Sequence, residues 1–178
     1  MKNAILAFSA LVASAAAQDY FTAVSARSAS PVHLLPLNAN GGKFILGGEP
    51  SSYCPEQVKD ACPAGTSTVL AGGYGTLSLG VVVPGGQQVY VAPDGSLSYT
   101  QPHSAYIPEG SVRVGWSREA QTDNVIGFLN FVSGLIACPV AGKPWQVYGK
   151  LPGLTFDSAC LGFNALTING TEAGAWEY

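Results

Sequence analysis

Turn-forming residues break this chain before a helix of ordinary length could run. The sequence carries 22 glycines and 12 prolines, and the apolar residues between them alternate instead of falling at helical spacing. Leu77, Leu79, Val81 and Val83 alternate with Thr76, Ser78, Gly80 and Val82, and Val112, Val114 and Trp116 repeat the pattern. Alternation turns one side of a strand to a core and the other to solvent. Similar short stretches run over Val32 to Leu37, Lys43 to Leu46, Gln88 to Val91, Leu97 to Thr100, Val125 to Phe131, Leu135 to Cys138, Trp145 to Tyr148 and Phe163 to Ile168. About ten short strands at this spacing predict an all-β, single-domain β-sandwich, with a β-barrel or β-trefoil as the alternative. A turn of helix is expected only near Pro55 to Lys59. One internal echo stands out: Gln88-Val-Tyr-x4-Gly95 recurs as Gln146-Val-Tyr-x4-Gly153, which suggests repeated hairpins without fixing their topology.

The first 17 residues read as a secretory leader. Lys2 gives the positive n-region, Ala4 to Val12 an apolar h-region, and Ala15-Ala-Ala17 a small-residue cleavage site, together too short for a membrane span. Residues 18–178 then form one domain, large enough to bury roughly 70% of its unfolded surface. The C-terminal Glu172 to Tyr178 has none of the hydrophobic tail of a lipid-anchor signal, so the expected product is freely secreted. Charged residues make up 11% of the chain and the formal net charge is −3. With no run of like charge, neither nucleic acid nor a membrane surface is an expected partner. Oligomeric state is not legible.

Four cysteines, Cys54, Cys62, Cys138 and Cys160, predict two disulfides in an oxidising compartment. Three connectivities are open. Cys54–Cys62 with Cys138–Cys160 is preferred because both bridges close local loops. No Cys-x-x-Cys pair occurs and the two histidines lie far apart, so neither a zinc site nor any other metal or cofactor is expected.

Candidate chemistry begins with Gln87 to Ala105, where Asp94, Ser96 and His103 fall close together in sequence. Ala92-Pro-Asp-Gly95 between two alternating stretches reads first as a hairpin turn, with proline presetting φ and glycine accepting a positive one. A nucleophilic triad would need His33 or His103 as base, and the Gly-x-Ser-x-Gly elbow is absent. A glycosidase would need two facing carboxyls. Glu49, Glu56, Asp94, Glu109, Asp123 and Asp157 instead sit among turn residues with nothing to pair them. Glycan binding asks for exposed aromatic faces with polar neighbours. Tyr90, Tyr99 and Tyr106 are the candidates, with Trp116, Trp145 and Tyr148 also available and the two tryptophans favoured as core. Asn169-Gly-Thr171 is a glycosylation sequon expected in a surface loop.

Ser51-Ser-Tyr-Cys-Pro55, Gln87 to Thr100, Gly115-Trp-Ser117, Leu135-Ile-Ala-Cys-Pro139 and Cys160-Leu-Gly-Phe163 together resemble the secreted fungal cell-wall proteins of the PhiA type, often labelled IgE-binding proteins. Each motif is short, and the resemblance rests on their order across nearly all of residues 18–178. It implies a secreted or wall-associated protein of a filamentous ascomycete, linked to phialide and conidium development, and in some members to allergy. It carries over no catalytic residue. The expected function is that of a non-catalytic cell-wall protein, with cell-wall polysaccharide as a candidate partner. The alternatives are a carbohydrate-binding module and a small secreted hydrolase.

Overall fold

The computed structural model of the chain describes residues 19–123 and 125–178. The leader expected over residues 1–17 lies outside them. Eleven strands occur among the described residues, with a single short 3-10 segment at Glu56–Ala61 where the helical turn is expected. No helix among them is long and apolar enough to cross a membrane.

The strands form a sandwich-like single domain. One layer runs β1 (Tyr20–Ala26), β11 (Leu161–Asn169), β8 (Gly127–Phe131), β7 (Val114–Glu119) and β4 (Leu70–Leu79), and β4 also meets the start of β1. The other contains β2 (Leu37–Asn40), β3 (Lys43–Leu46), β6 (Leu97–Tyr99), β10 (Lys143–Gly149) and β9 (Leu135–Val140). Two strands belong to both layers. β5 (Gln87–Val91) pairs β4 through Gln87 and Gln88 and then β6 through Val89 to Val91. β11 pairs β9 through Leu161 to Phe163, then β8 and β1 through its later residues. Strands that change sheets make the corners of a sandwich.

Between the layers lies one core. Phe21, Phe44, Leu46, Leu70, Leu77, Val89, Val91, Leu97, Leu129 and Val147 are almost fully buried there. Burying a side chain of this size contributes about 1.5–3 kcal/mol. Trp116 joins the core against Phe131, with ring centroids 5.0 Å apart, and Trp145 packs at its margin, so both tryptophans are largely structural. All four cysteines are bridged, Cys54 to Cys62 and Cys138 to Cys160, the pairing preferred from the sequence.

Three expectations change. Val32 to Leu37 is largely a turn; Pro36 makes an isolated bridge to Val24, and the strand itself begins at Leu37. His33 therefore sits on that turn, where its Nδ1 accepts the Arg27 N–H. Val81 and Val83 lie beyond β4, and Val81 bridges Ala175 near the C-terminus. Nothing in the expected series corresponds to β1. Its Tyr-Phe-Thr-Ala-Val-Ser-Ala sequence alternates correctly, but small and hydroxylated residues at half its positions weaken the apolar signal.

The C-terminus is part of the core rather than a tail. Gln87, 1% exposed, donates from Nε2 to the Tyr178 carbonyl and accepts the Tyr178 N–H at Oε1, each at 2.8 Å. The Tyr178 hydroxyl donates to the Ser67 carbonyl and accepts the Val69 N–H. Burial pushes the Tyr178 phenol up to about 12.

Candidate functional site

β3 explains how the chemistry-bearing residues of the second layer assemble. One edge of β3 pairs β2 along its length. The other takes β6 opposite Lys43 and β10 opposite Ile45 and Leu46. β6 and β10 therefore meet, and Ser96 bridges Tyr148. On β6, Leu97 and Tyr99 point into the core, so Ser96 and Ser98 point to the opposite face. Tyr90 lies across from Ser98. Lys43, Tyr90, Asp94, Ser96, Ser98 and Tyr148 thus share one face of the sheet.

The hairpin turn is closed by backbone hydrogen bonds. The Gly95 N–H donates to the Ala92 carbonyl at 2.8 Å and the Ala92 N–H to the Ser96 carbonyl at 3.0 Å, while Gly95 holds φ at +84°. This is a three-residue hairpin loop closed by a left-handed residue. Asp94 Oδ1 accepts both the Ser96 N–H at 2.9 Å and the Ser96 hydroxyl at 2.6 Å. Lys43 Nζ donates to the same hydroxyl oxygen at 2.5 Å. Partial burial alone would raise the Asp94 carboxyl, but the two Ser96 bonds and the Lys43 charge outweigh it and hold the group below its ordinary value.

These bonds decide what the cluster can do. Ser96 is 3% exposed, its proton is given to a carboxylate, and Lys43 acts as its donor. A nucleophile needs an accessible oxygen, and burial together with the Lys43 ammonium bonded to that oxygen withholds access from Ser96. The Lys43–Ser96–Asp94 relay is a pin that fixes the hairpin. His103 is exposed on a separate loop, in a cavity with Gln88 and Thr100. Glu56 pairs with Lys59 within its own short segment, and Asp157 accepts the Ala159 N–H.

The tyrosines divide. Tyr99 is 2% exposed, stands edge-on to Phe44 and accepts the Gly42 N–H at its hydroxyl. Its place in the β6 alternation makes it core, so it leaves the set of glycan-binding candidates. Tyr90 is half-buried on the outer face, and Tyr106 is 73% exposed beside it. Tyr148 is the residue that belongs with them. It is half-buried and stands edge-on to Phe156 at 5.6 Å. Burial first, then the nearby Tyr106 and Asp94 for Tyr90 and Asp94 for Tyr148, raises both phenols, so both are neutral donors at ordinary pH. The sequence echo is the signal for Tyr148. Val89 and Val147 are both fully buried, Tyr90 and Tyr148 both face outward, and Gly95 and Gly153 both take positive φ. Past Lys43 the face continues into a groove of about 410 Å³ lined by Ile45, Glu49, Val140, Pro144 and Gln146.

Asn169 is exposed, but it ends β11 instead of lying in a free loop. Its Oδ1 accepts from Arg118 Nη2 at 2.7 Å, and its Nδ2 donates to the Gln121 carbonyl at 3.0 Å. Arg118 is 7% exposed and lies 4.0 Å over the Phe21 ring. The sequon asparagine is thus also the polar partner of a buried cation.

Residues 21–178 match the family described as PhiA-like secreted protein. The chain belongs to that family. It is 40% identical over 158 residues to an uncharacterized secreted protein of Arthroderma benhamiae, covering 83% of this chain and 79% of the relative. No solved structure matches. The chain is therefore a secreted fungal protein of the PhiA-like family, and its described residues have an all-β, twice-bridged fold.

Proposed function

We propose that this protein is a non-catalytic component of the fungal cell wall and lays its β5–β6–β10 face against wall polysaccharide. The observation that carries this reading is the pair Tyr90 and Tyr148 on one sheet face, with the exposed Tyr106 loop residue close to Tyr90. Phenol rings stack on the C–H faces of sugars, while the neutral phenol hydroxyls bond sugar hydroxyls. A sheet face holds such groups with little loss of freedom on binding. The resemblance to wall proteins extends the proposal to phialide and conidium development and to recognition by IgE. Deletion in the source fungus tests the first and binding to sensitised sera the second.

Co-sedimentation with insoluble chitin and with β-glucan tests the glycan reading directly. The wild-type protein should be retained on at least one polymer, and Tyr106→Ala should lower its affinity several-fold with no change in melting temperature. Equal retention of wild type and a Tyr90→Ala/Tyr106→Ala double variant would remove this face from the account. Release of reducing ends from either polymer would instead favour the hydrolase.

A further inference from the structure

A further cleft lies on none of these surfaces. It opens where β11 leaves β9 to join β1 and β8. Arg27, Ser28, Leu135, Lys150, Phe163 and Asn164 line it, around a volume of about 560 Å³. The corner itself creates the space: Ala26 pairs Asn164 in one layer, while Phe163 pairs Leu135 in the other.

Two cations converge here. Arg27 Nη1 donates to the Gly162 carbonyl at 2.8 Å. Lys150 Nζ stands 3.8 Å from the point that a Cβ on Gly162 would occupy, and its stem runs past Gly134. The Lys150 N–H is itself fixed to the Gly134 carbonyl at 3.0 Å. No residue lining the cleft is acidic, and among the described residues the one ion pair, Lys59–Glu56, lies elsewhere. Two like charges held at one backbone residue repel each other. The chain has only 8 lysines and arginines against 11 acids, so an acid-free pair is an island of positive potential on an acidic protein.

We propose that this cleft binds an oxyanion, a phosphate or a carboxylate, carried on a sugar-sized molecule. The volume lies within the range of small-molecule sites. Arg27 keeps most of its five N–H donors for a planar or tetrahedral oxyanion, and Lys150 adds an unshared ammonium. Ser28 and Asn164 stand at the rim for sugar hydroxyls, and the buried Leu135 and Phe163 form an apolar floor. This site is separate from the tyrosine face and does not depend on it.

Amide NMR of the isotopically labelled secreted protein tests the proposal, with glucose 6-phosphate, glucuronate and glucose titrated across the millimolar range at low salt. At least one anionic sugar should shift the Gly134 and Gly162 amides saturably, and glucose should not. Response to the phosphate sugar alone names phosphate as the recognised group, and response to glucuronate alone names carboxylate. Lys150→Gln, at an exposed position, should weaken binding about tenfold, equivalent to about 1.4 kcal/mol. Added salt should weaken it further. A Tyr106→Ala variant should bind the anionic sugar like wild type, so failure of the glycan face and failure of this cleft are distinguishable. The proposal falls if neither anionic sugar shifts those amides, if glucose shifts them equally, or if Lys150→Gln and Arg27→Gln both bind like wild type.

Discussion

The β5–β6 hairpin and the β11 corner each bring charged groups together, and they spend them in opposite ways. At the hairpin, Lys43 and Asp94 each bond Ser96, so charge and hydroxyl are consumed in holding a turn. At the corner, Arg27 and Lys150 meet at Gly162 with only a backbone carbonyl as partner. The hairpin is the region most crowded with reactive residue types in the sequence, yet its polar groups are satisfied internally. The corner draws on residues far apart in the chain and leaves donors unspent. Density of reactive side chains along a sequence is thus a poorer guide to a site than unspent bonding capacity in space.

The contrast predicts that hairpin substitutions move stability and corner substitutions move binding. Gly95→Val should have the largest effect. A Cβ there would stand 2.8 Å from Leu154 Cδ1 on a backbone at φ +84°. Strain and overpacking together cost about 4 kcal/mol, or roughly 8–16 °C of melting temperature for a domain of this size. A neutral Gly95→Val would break the comparison at its stronger end.

Alkaline unfolding comes next. The Tyr178 phenol is raised from 10.0 to about 12, so the folded state holds its proton more tightly than the unfolded state. The resulting stability is complete below pH 10 and is lost as pH rises towards 12, a change of about 3 kcal/mol. Urea titrations at pH 8 and pH 11.5 should show that loss, and Tyr178→Phe should reduce it.

Asn169 sharpens the comparison because it lies between the two cases. Asn169→Ala deprives the buried Arg118 of its side-chain partner and should cost about 2 kcal/mol. Thr171→Ala abolishes the sequon and leaves that bond in place, so any glycan should disappear with stability almost unchanged. Equal melting temperatures for the two variants would show that the Arg118–Asn169 bond contributes little.

The smallest stability effects should come from Asp94→Asn and Lys150→Gln, each within about 0.5–1 kcal/mol of wild type. They separate by pH. The Asp94 carboxyl is held below its ordinary value, so its contribution is present above about pH 4 and lost as pH falls further. Asp94→Asn should remove that acid-side dependence, and Lys150→Gln should retain it. Thermal melts from pH 2.5 to 7 measure both.

Local chemistry was legible, and long-range placement was not. Pro93-Asp94-Gly95 announces its turn because each residue suits its own φ, and the two bridges join cysteines close in sequence. β4 is harder to see because Ala71-Gly-Gly-Tyr-Gly75 reads as loop. Gly73 is in fact a strand glycine whose Cβ would stand 2.8 Å from the Arg118 Cβ, so the missing side chain makes room for a neighbour. Tyr99 and Tyr90 have the same composition-level signal, and only their registers separate core from face. Tyr148 joins that face through the β3–β10 pairing, and Arg27 meets Lys150 because β11 changes sheets. Neither event has a local sequence signature.

The pairing of β1 with β11 also determines how the molecule would bear a load. Phe21 at the front of β1 lies opposite Asn169 at the end of β11, so tension between these two points peels the strands one residue pair at a time instead of shearing the whole ladder. A pull on the last residue meets a different resistance. It must first strip Tyr178 from Gln87, Ser67 and Val69, and then free Glu177 from Tyr53 and Ala175 from Val81. Under tension, the fold would yield readily from its front and hold from its back. Single-molecule pulling from the two attachment points would show that directional asymmetry as two distinct rupture forces.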